Sequence, residues 1–109
     1  MNKKISIIVR TYNEEKHIGI LLDSLKNQDY HNFEIIIIDS SSKDNTLNII
    51  NNNKHSLDIK IYNIPKEKFN YSYASNYGIK KASGDIACFL SGHSAPKNND
   101  YLSNVNDIF

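Results

Sequence analysis

Three short polar stretches hold most of the residues able to do chemistry. Arg10-Thr11-Tyr12-Asn13-Glu14 follows the apolar run Ile5–Val9, Asp39-Ser40 follows Phe33–Ile38, and Ser91-Gly92-His93 follows Ile86–Leu90. An arginine pairs with phosphate or another anion. A tyrosine or threonine beside a helix start can stack on a nucleobase or hydrogen-bond to it. A carboxylate at the end of a buried run accepts from a base N–H or a ribose hydroxyl. Each residue also has a plainer role. Arg10 can be a solvated strand end and Tyr12 a cap on the sheet. Asp39, taken alone, reads first as a cap for the serine-rich turn behind it, and Asp44 as a first-turn helix residue.

The elements that must position these stretches follow from periodicity. Ile5-Ser6-Ile7-Ile8-Val9 and Phe33-Glu34-Ile35-Ile36-Ile37-Ile38 read as buried strands of parallel type. Asn13 is expected to cap a first helix, with Glu14 and Glu15 in its first turn. Ile18, Leu21, Leu22 and Leu25 form its apolar stripe, and it should end near Gln28. Leu47, Ile49 and Ile50 mark a second helix, stopped at Asn51-Asn52-Asn53. The alternation of Leu57, Ile59 and Ile61 predicts a strand over 57–63, near a sheet edge.

Pro65 opens a loop through Phe69 and Asn70. Tyr73, Ala74, Tyr77 and Ala82 suggest a third helix ended by Gly84 as its C′ residue. Ile86–Leu90 is a fourth strand, and a last helix should start near Asn98 or Asn99. The order is β-α-β-α-β-α-β, an α/β fold with a mainly parallel sheet and right-handed crossovers. Ligands of such sheets sit at the carboxyl ends of the strands, which is where the three polar stretches fall.

Taken together and in order, these residues resemble the opening of family 2 glycosyltransferases with the Rossmann-like GT-A fold. The resemblance rests on Ile5–Glu15, Phe33–Thr46, Phe69–Gly78, Ala82–Asp85 and Phe89–Ser91, and spans Ile5 to about Leu102. It implies a nucleotide-diphospho-sugar donor, UDP-linked by preference, and a glycan or lipid-linked acceptor whose hydroxyl attacks with inversion. It implies that Thr11, Tyr12 and Glu14 lie against the nucleoside, that Asp39 binds base or ribose, and that Arg10 joins the donor site. Asn76 and Gly78 would start the helix flanking the donor pocket, with Lys80 or Lys81 nearby. Ser91, Gly92 and His93 would reach the diphosphate. The family usually places Asp-x-Asp there to hold Mg²⁺ or Mn²⁺. This chain has a Ser-x-His-x-x-Pro variant, with His93 in the place of the second Asp and Pro96 fitting the pattern. His93 reads equally as a metal ligand, a diphosphate contact or a loop histidine, so a divalent metal is an open expectation. Residues 1–109 match only the donor-binding N-terminal portion of the family's domain. The catalytic base is expected beyond Phe109, so the fragment alone is expected to be inactive.

Composition bounds the alternatives. The chain has 109 residues with 39% apolar and 23% charged residues, which suits one small globular domain. A formal net charge of +1 from scattered lysines offers no nucleic-acid stripe. A single cysteine, Cys88, excludes an internal disulfide and a cysteine metal site, and is expected to pack in the fourth strand. The run Ile5–Val9 is too short for a signal-peptide core or a membrane span. The expected location is cytoplasmic, with peripheral membrane contact open for a full enzyme. His17, His31 and His55 read as surface residues. Phe69, Tyr71, Tyr73 and Tyr77 read first as core packing, with a pocket wall as the alternative. A sheet cut at its fourth strand would expose apolar surface, so self-association is expected. A dinucleotide-binding unit needs a glycine-rich turn after the first strand, and Arg10-Thr11-Tyr12-Asn13 has no glycine. A receiver domain would place its Asp after the third strand, whereas Asp39 follows the second. The remaining alternative is a catalytically inactive nucleotide-sugar-binding or assembly module.

Overall fold

The structure, a computed structural model, describes residues 3–68 and 70–109. Phe69, expected in the aromatic group, lies outside the described residues. The strands are β1 (Ile5–Thr11), β2 (Phe33–Asp39), β3 (Ile59–Asn63) and β4 (Ile86–Ser91). The helices are α1 (Ile18–Lys26), α2 (Thr46–Asn51), α3 (Tyr71–Lys81) and α4 (Tyr101–Ile108), with a 3₁₀ turn at Lys66–Lys68. The sheet order is β3-β2-β1-β4, and the three pairings are all parallel. The predicted α/β alternation and the edge position of β3 are both found.

Side-chain alternation sorts the strands into two faces. Ile5, Ile7 and Val9 of β1 and Ile35 and Ile37 of β2 enter the larger core, with Ile18, Leu21, Leu22 and Leu25 of α1, Ile50 of α2 and Leu102 of α4. Ile8, Ile36 and Ile38 point the other way and pack under Ala74 of α3. Cys88 belongs to the larger core, and burial pushes its thiol pKa up. The helices thus flank a sheet whose central strands are buried on both faces, the condition that makes β1 and β2 read as continuous apolar runs.

One polar residue interrupts β2. Glu34 is fully buried. Its Oε1 accepts from Lys60 Nζ at 2.8 Å, and its Oε2 accepts from Ser6 Oγ at 2.6 Å and the Ser83 amide at 2.7 Å. Burial alone would raise the Glu34 pKa, but these hydrogen bonds outweigh it and bring it down to about 2. The cluster ties the turn after α3 to the amino halves of β1, β2 and β3.

Several local expectations are corrected. Asn13 is not a helix cap: it sits at φ 51°, and α1 starts at Ile18 with His17 as its N-cap. The reason is tertiary. The Glu14 amide donates to Thr46 Oγ1 at 2.7 Å and the Glu15 amide to Asp44 Oδ2 at 3.2 Å, so both are satisfied across loops rather than in a helix. Asp44 accordingly precedes α2 instead of lying in its first turn. Asn76 and Gly78 lie inside α3, whose N-cap is Asn70, accepting from the Tyr73 amide at 2.8 Å. Gly84 is not a left-handed C′ residue, since no described glycine has positive φ. A Cβ on Gly84 would lie 2.7 Å from the Lys4 carbonyl oxygen, so close backbone approach explains it. Tyr71 and Tyr73 are exposed, not core.

Candidate functional site

The carboxyl ends of β2, β1 and β4 are neighbours, because Thr11 pairs with Asp39 and Arg10 with Ser91. The loops that follow are stitched to one another. The Ser40 amide donates to the Thr11 carbonyl at 2.9 Å and the Gly92 amide to the Arg10 carbonyl at 2.9 Å. Asn13 and Ser41 are the described non-glycine residues with positive φ, at 51° and 59°. They lie in the two loops that face each other, where the Asn13 amide donates to Ser42 Oγ at 2.9 Å and the Lys43 amide to Asn13 Oδ1 at 2.8 Å. Residues held in this sparse region cost free energy and persist where surroundings over-determine them, commonly at ligand sites.

Asp39 organises the centre of this rim. It is fully buried rather than at the water edge. Its Oδ1 accepts from Thr11 Oγ1 and from Ser42 Oγ, each at 2.6 Å, and its Oδ2 accepts from the Ser42 amide at 2.9 Å. The cap role expected of Asp39 in isolation is therefore found, and Thr11, also fully buried, spends its hydroxyl on Asp39. Beside them Ser40 Oγ is buried without a hydrogen-bond partner. A polar ligand or water reaching the turn would satisfy it.

Two side chains carry positive charge to the rim. Arg10 and Ser91 help line a cleft of about 180 Å³ between α3 and β4, with Tyr71 and Phe89 as aromatic walls. The Arg10 guanidinium stands 5.2 Å over the Tyr71 ring. Lys66 Nζ stands 5.2 Å over the Tyr12 ring, and the hydrogen bond to Tyr12 raises the Lys66 pKa. Tyr71 thus takes the wall position given as the alternative for the aromatic group. Neither Lys66 nor the linking residues Ser42 and Thr46 stood out in the sequence. The polar run Ser40–Ser42 was the available signal, but which hydroxyl meets which loop depends on the strand register.

Glu14, Gly92 and His93 come together. His93 Nδ1 is 2.9 Å from Glu14 Oε2. The carboxylate can only accept, so Nδ1 carries the hydrogen, and Nε2 is left as a lone pair on neutral imidazole or a donor on imidazolium. Carboxylate-oriented imidazoles of this kind suit either a metal or a phosphate oxygen. A Cβ on Gly92 would lie 2.8 Å from Glu14 Cγ, so glycine there lets the two loops close. His17 stays exposed, as expected, with its ring 6.3 Å from that of His93. Among the described residues no three His, Cys, Asp or Glu side chains group to hold a cation. His93 with its Glu14 partner does not form a metal centre by itself.

Asn76 is not brought to the rim. It lies on the exposed side of α3 in a separate groove with Tyr73, Tyr77, Lys80 and Lys81. Because α3 runs down from the rim to Ser83, Lys80 and Lys81 sit toward the amino ends of the strands. The remaining predicted residues, Arg10, Thr11, Tyr12, Glu14, Asp39, Ser91, Gly92 and His93, all fall on or immediately beyond three adjacent strand ends.

A three-layer parallel α/β fold with its polar loops gathered at the carboxyl rim belongs to the open-sheet class, in which that rim is where ligands are taken. Residues 6–107 match the family model for glycosyl transferase family 2, and the chain belongs to that family. A glycosyltransferase of Methanococcus voltae, described as a dolichyl N-acetyl-alpha-D-glucosaminyl phosphate 3-beta-D-2,3-diacetamido-2,3-dideoxy-beta-D-glucuronosyltransferase, is 45% identical, covering 92% of this chain and 32% of the relative. The solved structure of Staphylococcus aureus TarS 1-349 with UDP-GlcNAc superposes with a TM-score of 0.87 at 32% identity, covering 94% of this chain and 30% of that one. A Pyrobaculum calidifontis mannosyltransferase with GDP-Man and Mn²⁺ gives a TM-score of 0.85 at 26% identity, covering 95% of this chain and 31% of that one. The chain spans about a third of the length of these proteins. No helix among the described residues is long and apolar enough to cross a membrane.

Proposed function

We propose that this chain forms the donor-binding part of a glycosyltransferase that moves a sugar from a nucleoside-diphosphate donor to an acceptor hydroxyl, with inversion, in glycan assembly. The supporting observation is the convergence of the Tyr12, Asp39 and His93 loops on one rim, tied by side-chain and backbone hydrogen bonds. Tyr12, backed by Lys66, offers a ring for the base. Asp39 keeps the β2–α2 turn shaped, and because it is fully buried its unused Oδ2 lone pair would meet a base N–H or ribose hydroxyl only once the rim loops open to the ligand. Arg10 and His93 Nε2 would stabilise charge gathering on the departing diphosphate. That the relatives' solved complexes hold UDP-GlcNAc, or GDP-Man with Mn²⁺, supports a nucleotide-sugar ligand here. A cation at His93 would take its other ligands from the diphosphate and water. The acceptor, glycan or lipid-linked, and its general base are assigned to no residue of this chain.

Titration calorimetry with UDP, with and without Mn²⁺, tests the reading. Binding by the unmodified chain, with loss of about tenfold or more in Arg10→Ala, is the expected result, since a charge-assisted contact is worth about 1.5–3 kcal/mol. Asp39→Asn is preferable to alanine, because it keeps one acceptor oxygen for the Thr11 and Ser42 hydroxyls, whereas alanine would leave both hydroxyls and the Ser42 amide without a partner. Mn²⁺ enhancement that disappears in His93→Ala assigns the metal role. Enhancement unchanged by His93→Ala removes it. No UDP binding by any form would leave the fold without this function.

A further inference from the structure

The outer side of α3 has a composition the rim does not need. A groove of about 480 Å³ runs there, lined by Tyr73, Asn76, Tyr77, Lys80 and Lys81. Tyr62 of β3 extends it, with its ring 5.9 Å from that of Tyr77, and Tyr73 continues the row at 6.3 Å. Ammonium groups sit on the ring faces. Lys81 Nζ is 5.2 Å from the Tyr62 centroid and 5.7 Å from that of Tyr77, and Lys68 Nζ is 5.7 Å from Tyr73. From Asn63 to Ala82 the sequence has four lysines, Lys66, Lys68, Lys80 and Lys81, and one acid, Glu67. Among the described residues none of these lysines is in an ion pair, and no carboxylate lines the groove.

We propose that this groove is a second, anionic-saccharide site, taking a glycan segment that bears carboxylate or phosphate groups. A lysine ammonium has three donors, and contact with a ring face leaves donors free for an oxyanion. The Asn76 amide and the tyrosine hydroxyls can serve sugar hydroxyls along the row. Two other polyanions fit less well. Single-stranded nucleic acid is held by successive bases stacked on aromatic rings along a strand, whereas here Tyr62, Tyr77 and Tyr73 lie with their centroids 5.9 and 6.3 Å apart and their rings tilted at 57° and 34° to one another, leaving no gap between them for a base. A membrane surface would need bulky apolar side chains to insert, and of the large exposed hydrophobics α3 adds only Ile79 to its tyrosines. The site lies down the flank of α3 from the rim, so it would hold glycan away from the reacting end. The saccharide identity leans on the glycosyl-transfer reading, whereas the anion preference stands on the groove itself.

The test uses the isotopically labelled chain in NMR titrations with oligogalacturonate as the anionic glycan. Shifts should concentrate on Tyr62, Tyr73, Asn76, Tyr77, Lys80 and Lys81, and fade as salt is raised. The double variant Lys80→Gln/Lys81→Gln should weaken binding by about tenfold or more, since even one lost charge-assisted contact costs that much, with an unchanged circular-dichroism melt. Equal binding of a neutral maltooligosaccharide, shifts confined to the rim, or tighter binding of oligothymidylate or of phosphatidylglycerol vesicles would each overturn it. UDP titrated into the same samples separates the two readings. UDP binding without glycan binding removes this site alone, and glycan binding without UDP binding removes the donor reading alone.

Discussion

Glu34 shows how much one side chain can decide. A carboxylate buried in an apolar strand is unfavourable unless paired, and here it accepts from Lys60, Ser6 and Ser83. Its pKa, held near 2 against the ordinary glutamate value of 4.5, makes the charged form the folded form. A lowered folded-state pKa contributes stability that is complete above the unfolded value and is lost as pH falls through the folded one. The contribution is about 3 kcal/mol and should vanish between roughly pH 4.5 and pH 2. Urea unfolding across that window should show the loss, and Glu34→Gln should flatten it while lowering stability at neutral pH. At the rim, the same logic makes Glu14→Ala informative. It removes the acceptor that orients His93 and should weaken any Mn²⁺-dependent gain in UDP affinity, with less effect on metal-free binding, as read by calorimetry.

At the scale of elements, α3 meets the sheet through a missing side chain. A Cβ at Gly78 would lie 2.4 Å from Ile8 Cγ2. Alanine is favoured over glycine by about 1 kcal/mol in a helix interior, but overpacking a tight contact costs about 1–3 kcal/mol. Gly78→Ala should therefore destabilise the chain in denaturant melts. Because Ile8 is the side chain in the way, Ile8→Ala should absorb part of that loss, giving a non-additive double-mutant cycle. A cycle that is additive would place the cost in the helix backbone instead. Ile8 also lines the cleft beside Arg10 and Ser91, so a variant that displaces its side chain should also change UDP affinity.

For the whole molecule, the exposed strand edges matter. β3 is a short edge of five residues carrying Lys60. β4 is the other edge, and its outward face leaves Phe89 38% exposed beside an exposed Tyr71. An unpaired edge with apolar neighbours is a template for pairing with another chain. The isolated chain should self-associate in sedimentation velocity as concentration rises, and Phe89→Lys should shift it toward monomer. A monomer at high concentration in the unmodified form would show that this edge is adequately protected by its own side chains.

Local patterns were sufficient for the sheet and its helices. The β-branched runs of β1 and β2 and the stripe Ile18, Leu21, Leu22, Leu25 are dictated by burial, and burial leaves a periodic trace in sequence. The placing of polar residues just after strands was legible for the same reason, since a parallel sheet turns its strand ends to one rim. What the chain order could not convey was pairing across loops. The late start of α1, the left-handed Asn13, the buried Asp39 and the Glu14–His93 contact depend on partners about thirty or eighty residues away. Nor could it show that Asn76 turns outward: its facing follows from α3 burying Ala74 and Gly78 against the sheet, and two such small residues leave only a faint apolar stripe. Periodicity reports which residues avoid water, whereas hydrogen bonds between distant loops exist only once the strand register has brought their donors and acceptors within reach.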